Sequence, residues 1–267
     1  MKKGRILAIT ESAAMIALAV ILSMIQVVRM PFGGSVTAAA MLPVILIAYR
    51  RKMGWGIFTA SVYALLQMFL GLDNVRYGTT FWAVCAIIFL DYIFAFAVLG
   101  LAGMFRDKFK SQSIEILCGT MICCGLRYVC HVISGCTVWA GVSIPTSDGL
   151  IYSLAYNAAY MVPETIITLA AAWYLSALID FRGEKLSVML DQQDKRSAVL
   201  NGVGVLALLV GIVFDALYIF SKLQNEEGFD ITGLQNANLL ILLIVSVCSV
   251  SVWLILYLIS KYNKSKA

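Results

Sequence analysis

Six ionisable side chains lie inside long apolar runs of this sequence: Glu11, Asp91, Arg127, His131, Glu164 and Asp215. An ionisable group at membrane depth is costly, so each asks for a chemical reason. Read on a helix, Arg127 and His131 share one face at i, i+4 spacing. Tyr156, Asn157, Tyr160 and Glu164 recur at i, i+1, i+4 and i+8 and make one polar stripe. Asp91 falls about 16 Å along its helix from the outer end, near mid-membrane, at 1.5 Å per residue. Tyr152 and Asn157 belong to the outer third of another run, and Trp139 to an outer loop. A carboxylate, an imidazole, an amide and several aromatics therefore converge on one half of the molecule. That set suits a small, flat, cationic, hydrogen-bonding ligand: the acid supplies charge, His and Asn supply donors and acceptors, and Trp and Tyr supply stacking and cation–π attraction. Simpler readings stay open. Asp91 and Arg127 can pair as a buried salt bridge, His131 can be a satisfied interfacial histidine, and Trp139 and Tyr152 can be aromatic-belt anchors. Glu11 lies near the inner surface, where it is expected to cap or pair locally. Asp215 has no partner that the sequence names.

The elements that must carry these residues are membrane helices. The chain has 267 residues, is 61% hydrophobic and only 13% charged. A spanning helix needs about 20 apolar residues. Eight candidates follow, at 6–28, 35–49, 54–71, 80–104, 113–134, 150–179, 198–221 and 237–260; the second is short and crowded by Gly33, Gly34 and Pro43. Most of the 20 Lys and Arg fall in alternate gaps: Lys2 to Arg5, Arg50 to Lys52, Arg106 to Lys110, Arg182 to Arg196, and Lys261 to Lys266. The other gaps hold only Arg29, Arg76 and Lys222. This is the positive-inside pattern, and it predicts both termini on the cytoplasmic side of the membrane. The net charge of +5 is thereby explained without nucleic acid. Residues 181–197 form the longest charged inner gap. They divide a six-span unit, 1–180, from a two-span extension, 198–267.

Several chemistries lack their motifs. There is no GxxxxGK[ST] loop for ATP and no HExxH for a zinc protease. The seven cysteines show no metal spacing and read as small apolar packing residues. No cleavable signal pattern follows the basic start. No catalytic residue, metal or cofactor is expected. The first span carries Ala13-x-x-x-Ala17, a small-xxx-small row that either packs internally or docks against another membrane helix.

The order and spacing of these residues resemble a known family. The matching stretches are TESAAMIALAVIL, GGSVTAAAMLPVILIAYRR, LDYIFAFAVLGLAGMFR, LRYVCHVISGCTVWAGV and YSLAYNAAYMVPE. Together they are similar to the thiamine-specific S components (ThiT/YuaJ family) of energy-coupling factor transporters, over residues 8–180. The resemblance implies a six-helix bundle that captures thiamine from outside and does no chemistry. It implies a transmembrane coupling subunit and two ATPase subunits as partners. Asp91 would face the thiamine cation, with Tyr92 beside it. His131 and Asn157 would hydrogen-bond the ligand, Trp139 would stack on it and Tyr152 would line the site. Ala13 and Ala17 would form the docking face. Where some members carry a Trp over the ligand, this chain reads Pro31-Phe32-Gly33-Gly34. Tyr77, in the loop 72–79, is not assigned to the site. Residues 181–267 lie outside the resemblance.

The expectation is therefore an all-α polytopic membrane protein, a six-helix bundle plus two C-terminal helices, that binds thiamine for import. The alternatives are an S component for another small vitamin, or a stand-alone transporter coupling protons through Asp91, Arg127 and His131.

Overall fold

The computed structural model describes residues 2–30, 33–139, 147–189, 195–225 and 228–265. Within them are seven helices long and apolar enough to cross a membrane. In chain order these are α1 (Lys2–Met24), α2 (Leu42–Leu70), α3 (Phe81–Phe105), α4 (Gln112–Trp139), α5 (Ser147–Leu178), α6 (Lys195–Leu223) and α7 (Leu239–Ser265). The protein is an all-helical, multi-pass membrane protein.

The second expected span is corrected. Residues 35–37 are not helical; Ser35–Thr37 form strand β2, paired antiparallel with β1 (Gln26–Arg29), with Val28 opposite Val36. The β-branched Val36 and Thr37 after two glycines suit a pleated ribbon better than a helix start. The helix begins at Leu42 and breaks at Lys52, whose backbone is at φ 68°, ψ 164°. Its arms fold back on each other. A Cβ on Gly56 would lie 2.6 Å from the Ala48 Cβ, whereas residues eight apart in a straight helix are separated by about 12 Å. The short arm spans about 15 Å, roughly half a bilayer core. Counting both arms, six helical segments precede residue 180.

Close backbone approach holds these segments. A Cβ on Gly100 of α3 would fall 2.4 Å from the backbone of Ile57, so only glycine admits this contact. Small residues at crossings are the usual means by which helices associate in lipid. Helix α3 is itself irregular, with a π-helical stretch over Ile87–Phe94 and a 3₁₀ stretch over Val98–Phe105. Such π stretches are frequent at functional sites, and this one carries Asp91.

The basic end of the bundle is closed by an arginine network. The buried Arg50 donates to Glu11 (2.8 Å) and to the carbonyls of Gly183 (2.7 Å) and Glu184 (2.6 Å). Arg51 also pairs with Glu11, at 2.6 Å. Glu11 thus pairs locally, as expected. Arg182 donates to Glu115 (2.7 Å) and to the Tyr49 hydroxyl (3.1 Å). These two contacts, Glu115 first, hold its guanidinium proton more firmly than usual. Arg106 donates to the carbonyls of Arg50 and, at 2.8 Å, Arg182. Helices α1 to α4 and the chain just after α5 are tied together here.

Helices α6 and α7 pair with each other and pack against α5. Trp173 of α5 meets Trp253 and Tyr257 of α7 with ring centroids 5.9 and 6.0 Å apart. Ser197 and Ser260 exchange hydrogen bonds with each other's carbonyls. Asp215 finds its partner within this pair: its carboxylate accepts from Ser246 of α7 at 2.7 Å.

Candidate ligand-binding cavity

The end opposite the arginine network holds a cavity of about 710 Å³, within the range of small-molecule sites. Its walls come from the end of α1, the β1–β2 hairpin, the long arm of α2, the 3₁₀ turn Leu72–Tyr77, and the cavity-end portions of α3, α4 and α5. Of the residues singled out by type and spacing, Asp91, Tyr92, His131 and Asn157 all line it. They come from three helices, and only the packing of α3 against α4 and of α4 against α5 brings them together.

Asp91 lies at the centre of the polar wall. Its Oδ1 accepts from His131 Nδ1 at 2.8 Å and its Oδ2 from the Ser134 hydroxyl at 2.7 Å. The expected alternative, a direct Asp91–Arg127 pair, is not formed. His131 stands between them, with Arg127 Nε donating to His131 Nε2 at 3.2 Å. A guanidinium can only donate. His131 Nε2 must therefore carry a lone pair, which places the ring proton on Nδ1, pointing at Asp91. Arg127 thus sets the tautomer, as a partner on one ring nitrogen does for the other. Its guanidinium also lies over the Phe96 ring, 4.3 Å from the centroid. Asp91 keeps 29% of its side-chain surface exposed, and each carboxylate oxygen retains acceptor capacity for a ligand.

His131 and Asn157 are built into the wall. Both ring nitrogens of His131 have protein partners. The Asn157 amide donates to the carbonyls of Ser153 (2.9 Å) and His131 (3.3 Å), and its oxygen accepts from the Tyr160 hydroxyl at 2.7 Å. It braces α5 against α4. Tyr92 presents its ring to the cavity. Its hydroxyl donates to the Gly71 carbonyl (2.9 Å) and accepts from Asn74 (2.8 Å), holding the turn that follows α2. Tyr152 is not among the lining residues; it stacks on Tyr156, which is, with centroids 6.2 Å apart and planes 10° apart. The side chain of Trp139 lies outside the described residues, as do Pro31 and Phe32.

Sequence reasoning missed other lining residues. Asp73, Asn74, Arg76 and Tyr77 all face the cavity, so the 72–79 segment belongs to the site. No spacing signal marks a short 3₁₀ turn. Tyr63, Gln67 and Phe96 carry no distinguishing spacing in their helices, yet they too line the cavity. Glu164 was visible as the end of the polar stripe. It is 2% exposed and accepts from both the backbone N–H and the hydroxyl of Thr37, the latter at 2.6 Å. A strand end inside a membrane protein needs a partner for its free N–H, and Glu164 supplies one. Gly34 presses so closely on Tyr160 that an added Cβ would come within 2.6 Å of the ring.

Ala13 and Ala17 are exposed on α1, while Ser12 and Ala19 face inward. The row therefore lies on the outer surface of the bundle.

A bundle of membrane helices with a polar, aromatic-walled cavity at one end has the build of a solute-binding transport protein. Residues 9–180 match the family model described as "Thiamine transporter protein (Thia_YuaJ)". The chain is 36% identical over 168 residues to the thiamine transporter ThiT of Bacillus subtilis (strain 168), a match covering 59% of this chain and 83% of that protein. The chain belongs to the thiamine transporter family. Residues 181–267, with α6 and α7, lie beyond the matched segment.

Proposed function

We propose that this protein is the thiamine-capturing membrane subunit of an energy-coupling-factor importer. One observation carries the reading. The Asp91 carboxylate, held by His131 and Ser134, faces a cavity walled by Tyr63, Tyr92, Phe96, Tyr156 and Tyr160. A fixed anion among aromatic rings suits a flat, permanently cationic ring system. Asp91 meets the cation, Tyr92 and Tyr156 form the aromatic wall with Tyr152 stacked behind Tyr156, His131 and Asn157 act through the wall by holding Asp91 and Tyr160, and Trp139 stacks on the ligand.

Residues 1–180 form the binding unit, 181–197 a cytoplasmic linker and 198–267 an added helical pair. Both termini are cytoplasmic, so the cavity opens outward and the arginine network seals the inner end. The outward-facing Ala13 and Ala17 support docking of α1 on a transmembrane coupling subunit, which two ATPases would drive. The chain contributes binding and no covalent chemistry.

Mass spectrometry of the co-purified small molecule, with fluorescence titrations of thiamine, riboflavin and biotin, tests this. Thiamine should be found and should quench tryptophan emission. Binding of riboflavin or biotin in its place would overturn the substrate. Uptake by vesicles lacking any ATPase module would overturn the coupling.

A further inference from the structure

The β1–β2 hairpin forms one wall of the cavity, contributing Gln26, Arg29, Ser35 and Thr37 to its lining. By itself it is a weak element. Its strands have four and three residues with a register irregularity between Gln26 and Val28, and an isolated two-stranded ribbon is marginally stable at best. The end of β2 is anchored through Thr37 to Glu164. Strand β1 is held differently: it packs against α6. Val28, Met30 and Val36 share one buried cluster with Ala216 and Leu223 of α6, and Val213 and Phe220 pack onto it. That cluster also contains Tyr156 and Tyr160, which line the cavity. Helix α6 is in turn tied to α7 by the Ser197–Ser260 exchange and to α5 by Tyr174, whose hydroxyl donates to the Ala198 carbonyl at 3.3 Å, while the Trp173, Trp253 and Tyr257 rings join α7 to α5.

We propose that the α6–α7 extension buttresses the β1–β2 hairpin, keeping the cavity wall closed and so setting how slowly the ligand leaves. The matched family segment ends at residue 180, so this support is something the chain adds to the transporter bundle. The physical argument is a population shift. A ligand that needs the closed hairpin binds with an apparent affinity reduced by the fraction of molecules in which the hairpin is closed. Contact with α6 raises that fraction without touching the ligand.

The inference rests on the thiamine reading only for the choice of ligand. The test uses the full chain with Val213→Ala and Phe220→Ala together, and Val210→Ala as a control, since Val210 is 62% exposed on the same helix. Hydrogen exchange of the ligand-free protein is followed across residues 26–37, and thiamine release by rapid mixing. The double variant should exchange faster at the hairpin while the amides of α4 around His131 keep wild-type protection. If the closed fraction falls to about a tenth, apparent affinity should fall about tenfold, expressed mainly as faster release. The control should match wild type in both. Wild-type exchange and release in the double variant would overturn the proposal, and so would equal effects from the control. Faster hairpin exchange with unchanged release would overturn the link to ligand retention. If wild type fails to bind thiamine, the substrate reading falls while the exchange arm still decides the buttress.

Discussion

Replacing Asp91 by Asn removes one charge and almost nothing else. Asparagine is isosteric, and its amide oxygen can still accept from His131 Nδ1. Its NH₂ can donate to Ser134, whose hydroxyl both donates and accepts. The wall should therefore survive. What is lost is the attraction between a carboxylate and the ligand cation. At about 4 Å and an effective dielectric of about 20 that attraction is about 4 kcal/mol. The carboxylate must shed water to make it, which brings the net worth of a charged contact to about 1.5–3 kcal/mol. Thiamine affinity should fall about 10- to 150-fold. A fluorescence titration measures this, and an internal control comes with the sequence. His131 is the only histidine in the chain, so the imidazole ¹⁵N spectrum reports one ring. In Asp91→Asn the ring should keep its proton on Nδ1. Wild-type affinity with that signal intact would refute the placement of Asp91 against the cation. Lost affinity together with a changed tautomer would mean that the wall, not the charge, had been perturbed.

Three further outcomes are expected. In the wild-type protein the same spectrum should show Nδ1 protonated and Nε2 bare at neutral pH; the reverse tautomer would contradict the Arg127–His131–Asp91 order. Glu164→Ala removes both acceptor oxygens and leaves the Thr37 backbone N–H and hydroxyl without them, so it should cost about 1–3 kcal/mol, seen as a lowered Tm and weaker thiamine binding; an unchanged Tm would show that Thr37 finds another partner. Ala13→Trp or Ala17→Trp should leave thiamine affinity of the purified protein intact while uptake by cells falls to background. Loss of binding would mean that this face of α1 packs within the bundle.

The sequence by itself determined the class of the molecule and most of the polar wall. Apolar run length reports membrane spans because lipid offers the backbone no hydrogen-bond partner. The polar stripe of α5 and the Arg127–His131 face of α4 were legible because helical spacing fixes which side chains share a face. Periodicity says nothing about which face meets which, and that is where the tertiary structure decided. The apolar stretch 42–49 reads the same whether it completes a span or turns back at Lys52. Asp91 could have paired with Arg127, but the packing of α3 on α4 set His131 and Ser134 against it and left Arg127 behind the ring. Glu164 ended a visible stripe, yet its task, accepting from a strand end 127 residues away, belongs to the hairpin's position alone. Asn74 and Tyr77 sit in a turn too short to carry a pattern. Asp215 was an acid without a partner until α7 folded back to bring Ser246 alongside. Spacing along a chain fixes neighbours one or two helical turns away; contacts between elements depend on how whole faces fit, and the structure alone supplies that fit.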